Sequence, residues 1–194
     1  MTAASHKQRM LAGELYSGQD PELLADHLRA RRLMDRFNAS LADEDALRRA
    51  LLLELFAAFG EGAVVRPPFR CDYGSNIRIG RGTFVNYGCV LLDCNAITIG
   101  EDAQIGPAVQ IYTPDHPLDA ATRRSGIESA RPVAIGDNVW LGGGAIVCPG
   151  VTIGADTVVG AGSVVARDLP PGVVAVGNPC RVVRPLPGRR GAEA

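Results

Sequence analysis

Between residues 133 and 168 the aliphatic side chains return at every sixth position: Ile135, Leu141, Val147, Ile153, Val159 and Val165. Two positions before each stands a small or β-branched residue, Val133, Val139, Ala145, Val151, Thr157 or Ser163, and Gly136, Gly142, Gly154 and Gly160 follow four of the six anchors. Neither a helix of period 3.6 nor a strand of period 2 generates this spacing. It is an internal repeat, and repeats decide architecture before single residues do. The same register runs earlier through Ile79, Val85 and Leu91, with Ile77, Thr83 and Cys89 two before them. It slips by two residues around 93–96 and resumes at Ile99, Ile105 and Ile111, preceded by Ile97, Ala103 and Val109. Such a chain winds as short strands around a triangular core of stacked side chains, each strand pairing with the coil above and below. Three hexads make one coil, so the twelve anchors predict four coils and a prism about 20 Å tall.

The first sixty residues carry no hexads and read as helical. Asp20 and Pro21 are the cap and first turn of a helix running to about Asn38. Asp43 is a second candidate cap, followed by Leu47, Ala50, Leu51, Leu55, Ala58 and Phe59 at helical spacing. A shorter helix precedes both. Residues 1–60 are thus a helical N-terminal segment that packs on the repeats. The β-helix covers 61–176, and 177–194 form a tail, polar from Pro185 onward. Residues 113–131 contain Pro114, His116, Pro117, Asp119, Arg123 and Glu128 but no anchor, so they must leave the prism as an excursion. Long loops on a rigid scaffold often carry function.

At 194 residues the chain can bury one sizeable core. A formal charge of -1 gives no basic footprint, so neither nucleic acid nor an anionic membrane is an expected partner. Of the 20 cationic residues only Lys7 is Lys, and the arginines are spread along the chain. Cys71, Cys89, Cys94, Cys148 and Cys180 form no CxxC pair, the sequence holds no membrane-length apolar run, and no signal peptide is expected. A reduced, cytoplasmic protein is expected. Cys89 falls on an inward repeat position and reads as a small buried hydrophobe.

Several segments together resemble the hexapeptide-repeat sugar O-acetyltransferases, the maltose and galactoside acetyltransferases, with the maltose branch nearest. They are Met10-Leu-Ala-Gly-Glu-Leu-Tyr16, Asn86-Tyr-Gly-Cys-Val-Leu-Leu-Asp93, His116-Pro-Leu-Asp119, Pro132-Val-Ala-Ile-Gly-Asp-Asn-Val-Trp140 and Gly177-Asn-Pro-Cys-Arg181. The resemblance implies an all-β fold, a left-handed parallel β-helix with a small helical N-terminal segment. It further implies a homotrimer, acetyl-CoA as donor and a sugar hydroxyl as acceptor.

His116 is the only histidine of the repeat region. Acetyl transfer from a thioester to an alcohol needs a base of near-neutral pKa, a task imidazole suits. The resemblance gives His116 that role. Asn86 on its own reads as a corner residue that satisfies backbone groups. By resemblance it matches an active-site asparagine that contacts the substrates. Asp93 reads equally as the residue closing the two-residue bulge or as an acceptor ligand, because the galactoside enzymes carry their acceptor-binding aspartate one position later, at Cys94. Their N-terminal aspartate corresponds to about Gly18, their serine before the hexads to Asp72 and a methionine to Glu128. Tyr16, Asp72 and Glu128 are therefore candidates for the acceptor side.

Arginine pairs such as Arg181 and Arg184 are usually solvated, though guanidinium groups chelate phosphate well. By resemblance both match coenzyme A contacts. Trp140, Gly143, Ala161, Ala166 and Arg167 lie on successive coils where the family lays the cofactor, and the N–H near Gly143 is a candidate oxyanion donor.

A trimeric carbonic anhydrase on this scaffold needs three histidines around zinc, and only His116 lies in the coils; His6 and His27 belong to the helical segment. No metal is expected. A non-catalytic scaffold leaves the His116 loop and terminal arginines unexplained. A cysteine acyl-enzyme route is not required by direct transfer, and serine acetyltransferases resemble the coils but have a longer helical region. Among acceptors, maltose or glucose is the leading expectation, with a galactoside, a lipochitooligosaccharide or a xenobiotic hydroxyl as alternatives.

Overall fold

A computed structural model describes residues 4–187. The hexads wind into a parallel β-helix with three faces. On the first face, Ala58–Phe59, Ile77–Ile79, Ile97–Ile99, Val133–Ile135 and Thr152–Ile153 stack in that order. The second holds Val64–Val65, Phe84–Val85, Gln104–Ile105, Trp140–Leu141, Val158–Val159 and Val173–Val176, and the third Arg70–Cys71, Val90–Leu92, Gln110–Tyr112, Ile146–Val147 and Val164–Val165. Anchors stack on anchors: Phe59, Ile79, Ile99, Ile135 and Ile153 form one ladder. All are buried in one continuous core.

The prism is longer than four coils. Phe59, Val65 and Cys71 make a fifth below Ile79, and Leu169, Ala175 and Cys180 begin a sixth above Val165. The lower coil escapes the hexad pattern because eight residues, not six, separate Cys71 from Ile79, and because Phe59 also fits helical spacing behind Leu55. The ladder prevails: helix stops at Leu55, Phe56 is extended, and Ala58–Phe59 pairs with Arg78 and Ile79.

Three helices precede the coils. In α1 (His6–Ala12) Ser5 and Gln8 form a reciprocal capping box. In α2 (Pro21–Asn38) the Asp20 side chain accepts from the Glu22 N–H. The third, α3 (Asp45–Leu55), is not capped by Asp43. The 40–44 turn is held instead by the Leu41 N–H on Glu44 and by Arg48, whose guanidinium reaches Ser40 Oγ and the Leu41 carbonyl. Phe37, Leu51, Leu52 and Leu55 join the prism core at Phe69, where Asn38 bonds both backbone groups.

The excursion leaves without breaking the ladder, since Ile99 pairs directly with Ile135. It folds as the strand Pro114–Asp115, the helix α4 (Ala120–Arg124) and the strand Ile127–Ala130. Tyr16–Ser17 completes a three-stranded antiparallel sheet with them.

Candidate active site

The predicted site residues fall into two groups on opposite edges of the third face. At the edge between the second and third faces runs a groove of about 430 Å³. It brings together Asn86, Trp140, Gly143 and Ala161. Its floor is a column of glycines, each following a second-face anchor. A Cβ on Gly106 would lie 2.6 Å from the Gly143 nitrogen, and one on Gly142 2.4 Å from that of Ala161. The neighbouring backbone thus forbids side chains at these glycine positions. Phe84, Gln104, Trp140 and Val158 form one cross-strand row along the groove wall, and the row continues beyond it to Val174 and Arg184. Phe84, Gln104 and Pro107 were not singled out from the sequence, although ladder register with Trp140 would have found the first two.

The Asn86 Oδ1 accepts the Tyr87 N–H at 2.8 Å, as a corner residue should, but its Nδ2 has no partner among the described residues. The Gly143 N–H likewise serves no hydrogen bond among the described residues, while its neighbours Gly142 and Gly144 are paired with Val159 and Pro107. The groove therefore offers two unspent donors.

Arg184 ends the Trp140 row three strand spacings away, about 14 Å. Arg181 stands opposite Val176, which closes the glycine column above Gly160. Both arginines are exposed on the strand Arg181–Pro185. Ala166 and Arg167 do not join this groove: they occupy the turn after Val164–Val165, at the far edge of the third face. Residues 188–194 of the expected tail lie outside the described residues.

The second group surrounds the excursion. The imidazole of His116 is 63% exposed, with Nδ1 4.0 Å from Oε2 of the mostly buried Glu128. Its backbone N–H donates to Asp115, which in turn meets Arg131 at 3.3 Å. Burial pushes the Glu128 carboxyl up, opposed by His116 and the Tyr16 hydroxyl. Tyr16 is fully buried; its hydroxyl, near Cys94 and Glu128, has no hydrogen bond of good geometry. The Cys94 thiol donates to Asp72 at 3.4 Å, and burial raises the Asp72 carboxyl.

Asp93 is sealed. At 0% exposure, one oxygen accepts the Asp72 and Tyr73 N–H groups and the other that of Asn76, closing the bulge between coils. Neighbouring Asn95 donates to the carbonyls of Met10, Leu11 and Ala130, tying α1 to the base of the excursion. Cys89 is buried, its thiol on the Gly106 carbonyl, with burial pushing it up to about 11. Among the described residues no helix is long and apolar enough to cross a membrane, and no cluster of His, Cys, Asp or Glu could hold a metal ion.

Residues 9–60 match the family model of the maltose acetyltransferase hexapeptide capping motif, and residues 132–167 that of the bacterial transferase hexapeptide, six repeats. The chain is 55% identical over 178 residues to nodulation protein L of Rhizobium leguminosarum bv. viciae, covering 92% of this chain and 94% of that protein. Among solved structures it is similar to a maltose O-acetyltransferase from Clostridium difficile 630, with TM-score 0.94 and 48% identity over 95% of this chain and 99% of that one. A galactoside acetyltransferase in complex with coenzyme A aligns with TM-score 0.92 and 41% identity, over 95% and 92% of the two chains.

Proposed function

Because the chain belongs to the hexapeptide-repeat acetyltransferases of the maltose and galactoside type, we propose that it transfers acetyl from acetyl-CoA to a hydroxyl of a sugar such as maltose or glucose. The observation that carries this reading is the glycine-floored groove holding Asn86, Trp140, Gly143 and Ala161 together. A slot without side chains suits a pantetheine arm, Trp140 supplies an apolar wall, and Arg181 and Arg184 lie where guanidinium groups would meet phosphates. The solved galactoside enzyme with coenzyme A supports the same donor.

In the proposed reaction His116 takes the proton of the acceptor hydroxyl as its oxygen attacks the thioester carbonyl. The Gly143 N–H stabilises the oxyanion of the tetrahedral intermediate, and Asn86 Nδ2 holds the substrates beside it. Collapse breaks the C–S bond and releases the thiolate of coenzyme A, which recovers the proton. Asp72 and Glu128 line the acceptor side, at the base of the excursion, with the buried Tyr16 hydroxyl behind Glu128.

Within one chain the third face stands between His116 and the groove. The site is therefore proposed to lie between neighbouring prisms of a homotrimer, with Ala166 and Arg167 approaching the donor from the same edge as His116. The third face supports this: its outward row carries half-buried Val90, Gln110, Ile146 and Val164 where the first face carries Arg78, Thr98, Ala134 and Thr152. A cytoplasmic setting fits the unpaired cysteines.

Acetyl-CoA turnover with maltose, glucose and a panel of galactosides tests the reading. His116→Ala is expected to lose about 10²- to 10⁴-fold with every accepted sugar. Near-wild-type rates would refute the mechanism, and if acetyl-CoA fails to raise the melting temperature, donor binding itself is refuted.

A further inference from the structure

We propose that Glu128 is the positioning carboxylate of His116, and that position 18 is glycine because this carboxylate occupies the space of its side chain. The proposal rests on His116 being the base.

The backbone sets the pair. In the three-stranded sheet Tyr16 stands opposite Glu128 on one side of the strand Ile127–Ala130, and Asp115 stands opposite Ser129 on the other. His116, one residue further, is thereby delivered beside Glu128. The two carboxylate oxygens point different ways. Oε2 lies 4.0 Å from His116 Nδ1, while Oε1 lies 2.7 Å from where a Cβ on Gly18 would be.

Among the described residues the His116 ring has no other polar partner, and at 63% exposure packing does not fix it either. An imidazole that accepts a proton at Nε2 works best when Nδ1–H is directed at an acceptor that also stabilises the imidazolium. Glu128 is the acid placed for this. It is the less exposed partner and belongs to a strand paired on both sides, so it is the fixed element against which a mobile ring is aligned. The 4.0 Å gap closes by a small side-chain rotation, as catalytic contacts commonly tighten when substrates bind.

Gly18 supplies the other half. The only described obstacle to a side chain there is the tip of Glu128. A methyl group at position 18 is therefore accommodated by moving the carboxylate, not by unfolding the turn.

The test compares Glu128→Gln, Glu128→Asp, Gly18→Ala and His116→Ala with wild type in full-length protein. Steady-state kinetics use acetyl-CoA and an accepted sugar, and ¹⁵N NMR of labelled histidine reports the His116 tautomer, assigned by its absence in His116→Ala. Glu128→Gln and Gly18→Ala are expected to lower kcat by about ten- to a hundredfold with little change in sugar KM. Glu128→Asp should recover part of the rate, and the Nδ1–H signature of wild type should be lost in Glu128→Gln. An unchanged kcat, or a loss wholly in sugar KM with an unchanged His116 spectrum, overturns the proposal; the second outcome leaves Glu128 as an acceptor contact alone. If His116→Ala itself keeps its rate, the underlying mechanism fails instead, while the spectrum still decides whether the two side chains are coupled.

Discussion

Asp93 holds three backbone N–H groups of the bulge where the register slips. Asp93→Ala leaves all three buried donors without an acceptor, a loss of about 3 kcal/mol expected in urea unfolding. Its titration has a definite sign. Burial pushes the Asp93 carboxyl from 3.8 up to about 7, outweighing the N–H groups that pull it down. Between those values the folded chain holds a proton that the unfolded chain has released, so the contribution is complete below about pH 4 and is lost as pH rises to 7. Asp93→Asn, which keeps one acceptor and does not ionise, should flatten this fall in a series of melts across that range. From sequence, Asp93 was balanced between bulge and acceptor roles, because an aspartate beside a register slip looks the same in both. Only its burial separates them. Asn86, His116 and Trp140 were legible as site candidates through resemblance. Gly18 was legible only as a departure, since a missing side chain signals nothing until the neighbour filling its place is known.

At the scale of elements, the hexad rule recovered the upper coils because aliphatic anchors repeat there without ambiguity. It failed at the lowest coil, where Phe59 and Cys71 replace aliphatic anchors and Phe59 satisfies two periodicities at once. The excursion's departure was visible as a gap in the register, but its pairing with Tyr16–Ser17 was not, because two-residue strands carry no pattern. The groove wall and floor should respond differently to mutation. Trp140 is more than half exposed, so Trp140→Ala should leave the melting temperature nearly unchanged and raise the KM for acetyl-CoA about tenfold, close to 1.4 kcal/mol of lost binding. Gly142→Val presses a branched side chain onto the backbone of Ala161, and should destabilise the coil by about 1–3 kcal/mol. A Trp140 variant with wild-type KM would remove that residue from the donor site.

The whole molecule poses the question of where His116 and the groove meet. They occupy the two edges of the third face, and a strand with its corner residues separates such edges by roughly 15–20 Å, farther than an imidazole and an amide reach across a bound hydroxyl. A trimer in which one prism's excursion meets the next prism's groove resolves this, and it makes the composition of each site a matter of subunit choice. His116→Ala and Asn86→Ala should each be nearly inactive alone. When the two are denatured together in equal amounts and reassembled, a site is whole if its excursion comes from the Asn86→Ala chain and its groove from the His116→Ala chain. Random cyclic assembly makes that so for about one site in four. Recovery of about a quarter of wild-type activity, with sedimentation showing three chains per particle, is the expected result. Mixtures as inactive as their parents, formed from demonstrably mixed trimers, would place His116 and Asn86 in one chain's site and require the excursion to swing across its own third face.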